Sequence, residues 1–186
     1  MLVFHQNLVQ HLEAIEDCLE KRRILPCLCL LYSAIDVVAS LERVPREGTK
    51  AAFIRWVDEN MLKTRPMPCT ALDLYASRCV VLHTFTADSD LSRDGSARRI
   101  TYAWGNAKPE DLAKAAKLLG RTEVAVHIRG LIDGFRMGLA SYLEAVVHSP
   151  ERLRRIEESA SLWFTHMEQD VVERFLNASS GRETNG

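Results

Sequence analysis

The chain has 186 residues, 47% of them apolar and 26% charged, which is enough apolar mass for a packed core and excludes a disordered or collagen-like chain. Its 24 basic and 25 acidic residues leave a formal charge of -1, so attraction of the whole surface to nucleic acid or anionic membranes is excluded, and any polyanion has to be met by a local patch. Five cysteines at irregular spacing (Cys18, Cys27, Cys29, Cys69, Cys79) exclude a disulfide-stapled scaffold and read as reduced thiols of a cytoplasmic protein.

The first half is helical by periodicity. Leu8, Leu12, Ile15 and Leu19 step by four, three and four along one face of an amphipathic helix. No signal peptide is expected, because Met1 to His5 lacks a basic start. Pro26 suits a helix start, and Leu28, Leu31, Ile35, Val38 and Leu41 continue a second helix. Pro26, Ser33, Asp36 and Ser40 interrupt this apolar stretch, so it reads as a buried core helix and not a membrane span. A third helix is expected over about residues 49–62, with Phe53, Trp56, Val57 and Met61 facing inward. Thr70 followed by Asp73 has the form of a capping box for a fourth helix, running to about Thr86.

Asp88 to Arg98 is a polar loop with a passing likeness to a calcium loop, but Arg93 stands where the turn glycine belongs and no closing glutamate follows. Ile100, Tyr102 and Trp104 alternate with Thr101 and Ala103, which predicts a strand over about residues 98–104. Val124, Val126 and Ile128 alternate with Ala125 and His127, a partner strand over about residues 123–128, with a short helix between the two strands ended by Gly120. Leu131, Phe135, Leu139, Tyr142 and Val146 form the stripe of the next helix. On it Gly130, Gly134 and Gly138 recur every fourth residue, marking either a tight internal crossing or a dimer seam. Ser149-Pro150-Glu151 starts a final helix carrying Leu153, Ile156, Ala160, Trp163, Met167, Val171 and Phe175. The expectation is one mainly α domain over residues 1–178, with a small β element, and a disordered tail over residues 179–186.

Phosphate loops, dinucleotide-binding glycine fingerprints, paired-histidine zinc helices and nucleophile elbows are missing. The Cys27/Cys29 pair lacks a nearby histidine or a second pair, so no metal and no other cofactor is expected. Chemistry concentrates on the fourth helix. At 100° per residue, Leu74, Arg78, Val81 and Phe85 fall within about 60° of one another, so Arg78 projects from an apolar stripe where an isolated guanidinium is costly. Asp36 on the second helix is its expected anion. On the same arithmetic His83 lies about 140° around the helix from Arg78.

Arg78-Cys79-Val80-Val81-Leu82-His83, with the preceding Leu74-Tyr75 and the earlier Tyr32-Ser33-Ala34-Ile35-Asp36, resembles the R-x4-H motif and surroundings of the HEPN superfamily, in a bacterial toxin-like branch. The resemblance covers roughly residues 5–86 and implies a HEPN-like helical bundle acting as a homodimer. It implies a metal-independent endoribonuclease, or an RNA-binding toxin or defence protein. His83 would take the proton of a ribose 2′-hydroxyl, Arg78 would grip the scissile phosphate bidentately, and the products would carry 2′,3′-cyclic phosphate ends. Asp36, Cys79 and Tyr75 would support that pair. An antitoxin or nucleotidyltransferase is the partner the resemblance suggests. Two positions depart from the pattern: Cys79 stands where active members place a polar residue, and Phe85 stands where many carry a tyrosine that such a transferase modifies. The competing readings are a buried structural Arg78–Asp36 pair with a core histidine, and a non-catalytic helical dimer that binds a nucleotide or a partner protein.

Two further features stay open at this level. His127 and Arg129 either end a strand or belong to a site. Residues 43–65 hold six basic side chains against three acids, either a solvated face or a cationic patch.

Overall fold

Helix α1 (Leu2–Glu20) packs against α2 (Ile24–Ser40), which runs through the core with Leu28, Leu31, Tyr32, Ile35 and Val38 buried. The computed structural model describes residues 2–85, 89–160, 172–174 and 177. Two further helices lie against α2, and each changes character along its length. Helix α3 (Thr49–Trp56) widens into a π-helical segment, Val57–Leu62, and α4 (Ala71–Cys79) widens into Val80–Thr84. Thr70 and Asp73 form the expected capping box at the start of α4. The widened end of α4 runs to Thr84 and is capped by Phe85, whose left-handed backbone (φ 50°) ends the helix; the expected end at about Thr86 lies outside the described residues. Part of the expected polar loop is instead a single helical turn, α5 (Asp90–Arg93), capped by Ser89.

Both strands form. Strand β1 (Arg99–Ala103) pairs in parallel with β2 (Glu123–His127), in register from Arg99–Glu123 to Ala103–His127, and α6 (Pro109–Leu118) makes the crossover. Ile128 belongs to the next helix and not to the strand. His127 ends β2 and caps α7 (Ile128–Val147), its Nδ1 accepting from the Arg129 N–H. Helix α8 (Pro150–Ala160) follows; Trp163, Met167, Val171, Phe175 and the expected tail lie outside the described residues. The fold is mainly α with a two-stranded parallel sheet, and no described helix is long and apolar enough to cross a membrane.

The βαβ unit is fastened to the helices by polar contacts. Buried Asp73, already part of the capping box, also accepts from the Arg98 backbone N–H and from its guanidinium at 2.6 Å. Tyr32 of α2 and Tyr102 of β1 share a hydrogen bond of 2.6 Å. On the opposite side, Trp56 packs against Phe135 and Tyr142 of α7.

The glycine repeat of α7 is an internal crossing. A Cβ on Gly138 would stand 2.9 Å from the Met61 Cα and 3.0 Å from the Asn60 carbonyl, so backbone meets backbone at the π-helical segment of α3. At Gly134 the neighbours are the flexible ends of Met67 and Met61, and at Gly130 only the Arg65 side chain comes within 3.8 Å. Gly138→Ala is therefore expected to cost about 2–3 kcal/mol, because nothing it meets can rotate away. Gly130→Ala is expected to be neutral or to stabilise by up to about 0.5 kcal/mol, through helix propensity. Urea denaturation of the two variants checks the contrast.

Asp73 also sets a pH dependence. Burial raises its carboxyl, but the N–H groups of Thr70 and Arg98 and the Arg98 guanidinium outweigh that and hold it below its ordinary 3.8. A carboxyl lowered on folding contributes stability that is complete above the unfolded value and lost as pH falls through the folded one. Asp73→Asn is expected to lower Tm at pH 7 and to flatten the loss of Tm in acid below about pH 4, read by thermal melts across that range.

Candidate functional site

Five side chains singled out in the sequence gather where α4 widens. Arg78 sits on the last regular turn of α4, with a side chain 14% exposed, and Asp36 of α2 faces it at 17% exposed. The Arg78 Nε donates to Asp36 Oδ2 at 2.6 Å, and its NH2 lies 2.6 Å from the same oxygen. The NH1 group lies 2.8 Å from His83 Nε2. A guanidinium only donates, so Nε2 accepts and the imidazole proton is on Nδ1. Asp36, Arg78 and His83 thus form one hydrogen-bonded chain running from half-buried carboxylate to exposed imidazole.

The helix irregularity is what makes this contact. Regular α-helical geometry would put His83 about 140° away from Arg78. In a π turn the bond spans five residues, here Phe85 N–H to Val80 O at 2.9 Å, and side chains five apart return to nearly the same face. The Cys29 thiol supports the widened turn by donating to the Val81 carbonyl at 3.7 Å.

Tyr75, one turn before Arg78, presents its ring 5.9 Å from the guanidinium carbon, within cation–π range. Its other side meets Phe53 edge-on, with centroids 5.5 Å apart. Burial, followed by the Cys79 thiol beside it, pushes the Tyr75 phenol above its usual value. The Asp36 carboxyl is raised by burial despite Arg78, and its Oδ1 is buried without a hydrogen-bond partner among the described residues. Arg78 is held above its ordinary value because Asp36 outweighs burial.

The guanidinium has five N–H bonds; among the described residues Asp36 engages two and His83 one, which leaves two for an incoming anion. The arrangement can hold an oxyanion beside an imidazole nitrogen, a combination suited to phosphoryl-transfer chemistry without a metal. The buried structural pair foreseen as the competing reading is present in Arg78–Asp36, whereas His83 is exposed and not a core histidine. Sequence periodicity missed the π turn and the exposure of Phe85, 67% open two residues after His83. The five-residue spacing itself was the one available signal.

The other candidates resolve differently. Cys27 and Cys29 donate to the carbonyls of Ile15 and Val81 respectively, facing different neighbours, and burial pushes the Cys27 thiol up to about 11. No three His, Cys, Asp or Glu side chains cluster as a metal site needs among the described residues. Within the basic stretch, Arg55 is bound by Glu47 at 3.0 Å and Arg65 lies 3.9 Å from Asp133, so these two cations are already neutralised.

Comparison with family models, with curated proteins and with solved structures gives no match to this chain.

Breaking the half-buried pair from either side leaves an uncompensated charge. Asp36→Ala and Arg78→Ala are each expected to cost about 3 kcal/mol, and the double variant to cost less than their sum by at least about 1 kcal/mol. His83→Ala, being exposed, is expected to stay within about 0.5 kcal/mol of the parent. A denaturant-unfolding cycle over the variants measures all of these.

Proposed function

We propose that the chain is a metal-independent, RNA-cleaving protein of HEPN type, with Arg78 and His83 as its catalytic residues. The observation that carries this reading is the direct Arg78–His83 contact across the widened turn, at the protein surface, with Arg78 anchored from behind by Asp36.

The chemistry follows from the groups. His83 Nε2 takes the proton of a ribose 2′-hydroxyl, and the 2′-oxygen attacks the adjacent phosphorus. The remaining N–H bonds of Arg78 donate to a non-bridging oxygen, where charge accumulates. The bond from phosphorus to the 5′-oxygen breaks, leaving a 2′,3′-cyclic phosphate on one product. The departing oxygen takes a proton from the protonated His83 of a second copy, which makes the homodimer the working unit. DNA, lacking the 2′-hydroxyl, is spared. Tyr75 and Cys79 line the guanidinium and hold its orientation. A toxin or defence role with a cognate antitoxin belongs to the same proposal. Phe85 offers no hydroxyl for a nucleotidyltransferase to modify.

The second reading is a non-catalytic helical dimer. What favours it is that three of the five guanidinium N–H bonds are already satisfied within the chain.

Incubation of the purified protein with single-stranded and structured RNA in EDTA decides between them. The expected result is cleavage to 2′,3′-cyclic phosphate ends, reduced at least about 100-fold in His83→Ala with an unchanged circular dichroism spectrum. Intact RNA after prolonged incubation with the parent protein, or equal cleavage by His83→Ala, overturns the assignment.

A further inference from the structure

We propose that the cleft at the carboxyl ends of β1 and β2 is a binding site for a nucleoside monophosphate. It involves neither the Arg78–His83 pair nor the reading built on it, and it lies where the βαβ unit meets the corner between α1 and α2. The cleft has a volume of about 600 Å³ and opens between the loop after β1, the start of α7 and the corner joining α1 to α2. That size suits a small-molecule ligand. Its position is the one at which parallel strands present ligands, beyond their carboxyl ends.

One wall is pinned in place. His127 Nδ1 accepts the Arg129 backbone N–H, so Nε2 carries the ring proton and donates to the Gly105 carbonyl at 3.1 Å. The imidazole is thereby used as a latch between the loop and α7. Gly105, with φ 62°, reverses the chain immediately after Trp104, whose indole is left 46% exposed at the cleft. An indole held open on a fixed loop is a stacking surface for a planar ring.

The opposite wall carries the charge. Of the two guanidiniums lining the cleft, Arg129 is committed to Glu16 at 2.5 Å, while that of Arg22 is exposed and makes no side-chain hydrogen bond or ion pair among the described residues. Arg22 also occupies a costly backbone position. Helix α1 ends with Arg23 N–H bonded to Cys18 O and Arg22 N–H bonded to Leu19 O, which places Arg22 in the left-handed region at φ 56°. Helix α6 ends by the same pair of bonds, from Arg121 to Ala116 and from Gly120 to Lys117, and there the left-handed residue is glycine. Glycine is the unstrained choice at such a position, so the fold gains nothing from arginine there, whereas an anion in the cleft does. Glu20 brings an exposed carboxylate, an acceptor for sugar hydroxyls, and Asn106 brings an exposed side-chain amide for a base edge. A ring for Trp104, hydroxyls for Glu20 and a phosphate for Arg22 together describe a nucleoside monophosphate, which neither a bare anion nor an uncharged aromatic satisfies.

Isothermal titration of the full chain tests this with AMP and UMP, using adenosine and inorganic phosphate as partial ligands. At least one nucleotide is expected to bind, at least tenfold more tightly than adenosine or phosphate. Trp104→Ala and Arg22→Gly are each expected to weaken binding at least tenfold. Because glycine adopts the left-handed backbone freely, Arg22→Gly should keep or raise Tm, which separates loss of the ligand contact from loss of the fold. His83→Ala should bind as the parent does, and this result is independent of whether the parent cleaves RNA. No binding of either nucleotide at 1 mM, equal affinity for phosphate alone, or unchanged binding in both cleft variants overturns the proposal.

Discussion

The turn that opens at Val80 closes on the fifth residue instead of the fourth, and that one extra residue decides which side chains meet at the end of α4. A widened turn gives up regular α-helical hydrogen bonding, so it persists only where its surroundings support it. Three contacts do so here. Phe85 turns the chain out in the left-handed region, the Cys29 thiol reaches the Val81 carbonyl from α2, and Arg78 is gripped by Asp36, also from α2. With Arg78 fixed at its base and the following turn enlarged, His83 is brought round to the open edge of the guanidinium. The same helix in regular geometry would leave two unrelated side chains.

The second π-helical segment shows the irregularity used for packing. At Val57–Leu62 the swollen turn is pressed against α7, and the chain accommodates it by removing the side chain at Gly138, where backbone stands against backbone. One widened turn is absorbed into the core by a glycine, and the other faces outward and carries an imidazole. Asp73 links the two halves of the molecule more economically, since one carboxylate both caps α4 and holds Arg98 at the threshold of β1. Any displacement of the βαβ unit is therefore felt at the start of the helix that ends in Arg78 and His83.

Much of the fold was legible because its signals are local. The Thr70–Asp73 capping box, the alternation of Ile100 and Tyr102, the Gly120 stop and the stripe from Leu131 to Val146 all act within a few residues of where they are read. The partnership of Asp36 with Arg78 was also legible, since an arginine on an apolar stripe needs an anion and α2 offers only one. The π turn was not. Its cause is tertiary, lying in α2 contacts 42 and 52 positions away in the chain, and a helical wheel drawn at 100° per residue puts His83 on the wrong face. Likewise, the sequence shows Trp104, His127 and Arg22 as scattered residues. Only the parallel pairing of the strands and the α1–α2 corner bring them to one cleft.

For the proposed RNA cleavage, the Arg78–His83 contact carries a consequence of its own. Nε2 cannot accept from Arg78 and from a ribose hydroxyl through the same lone pair, so the pair as it stands is a resting arrangement. Entry of a phosphate supplies the guanidinium with a better acceptor than a neutral imidazole, because a charged acceptor makes the stronger hydrogen bond. The Asp36 edge need not move, since Nε and NH2 remain bound to Oδ2 while the outer edge exchanges partners. Substrate binding would then release the base at the moment the 2′-hydroxyl arrives. Burial at Asp36 has a part in this: a carboxylate in water would be a weaker and more mobile anchor, and the guanidinium would follow the phosphate instead of presenting it to His83.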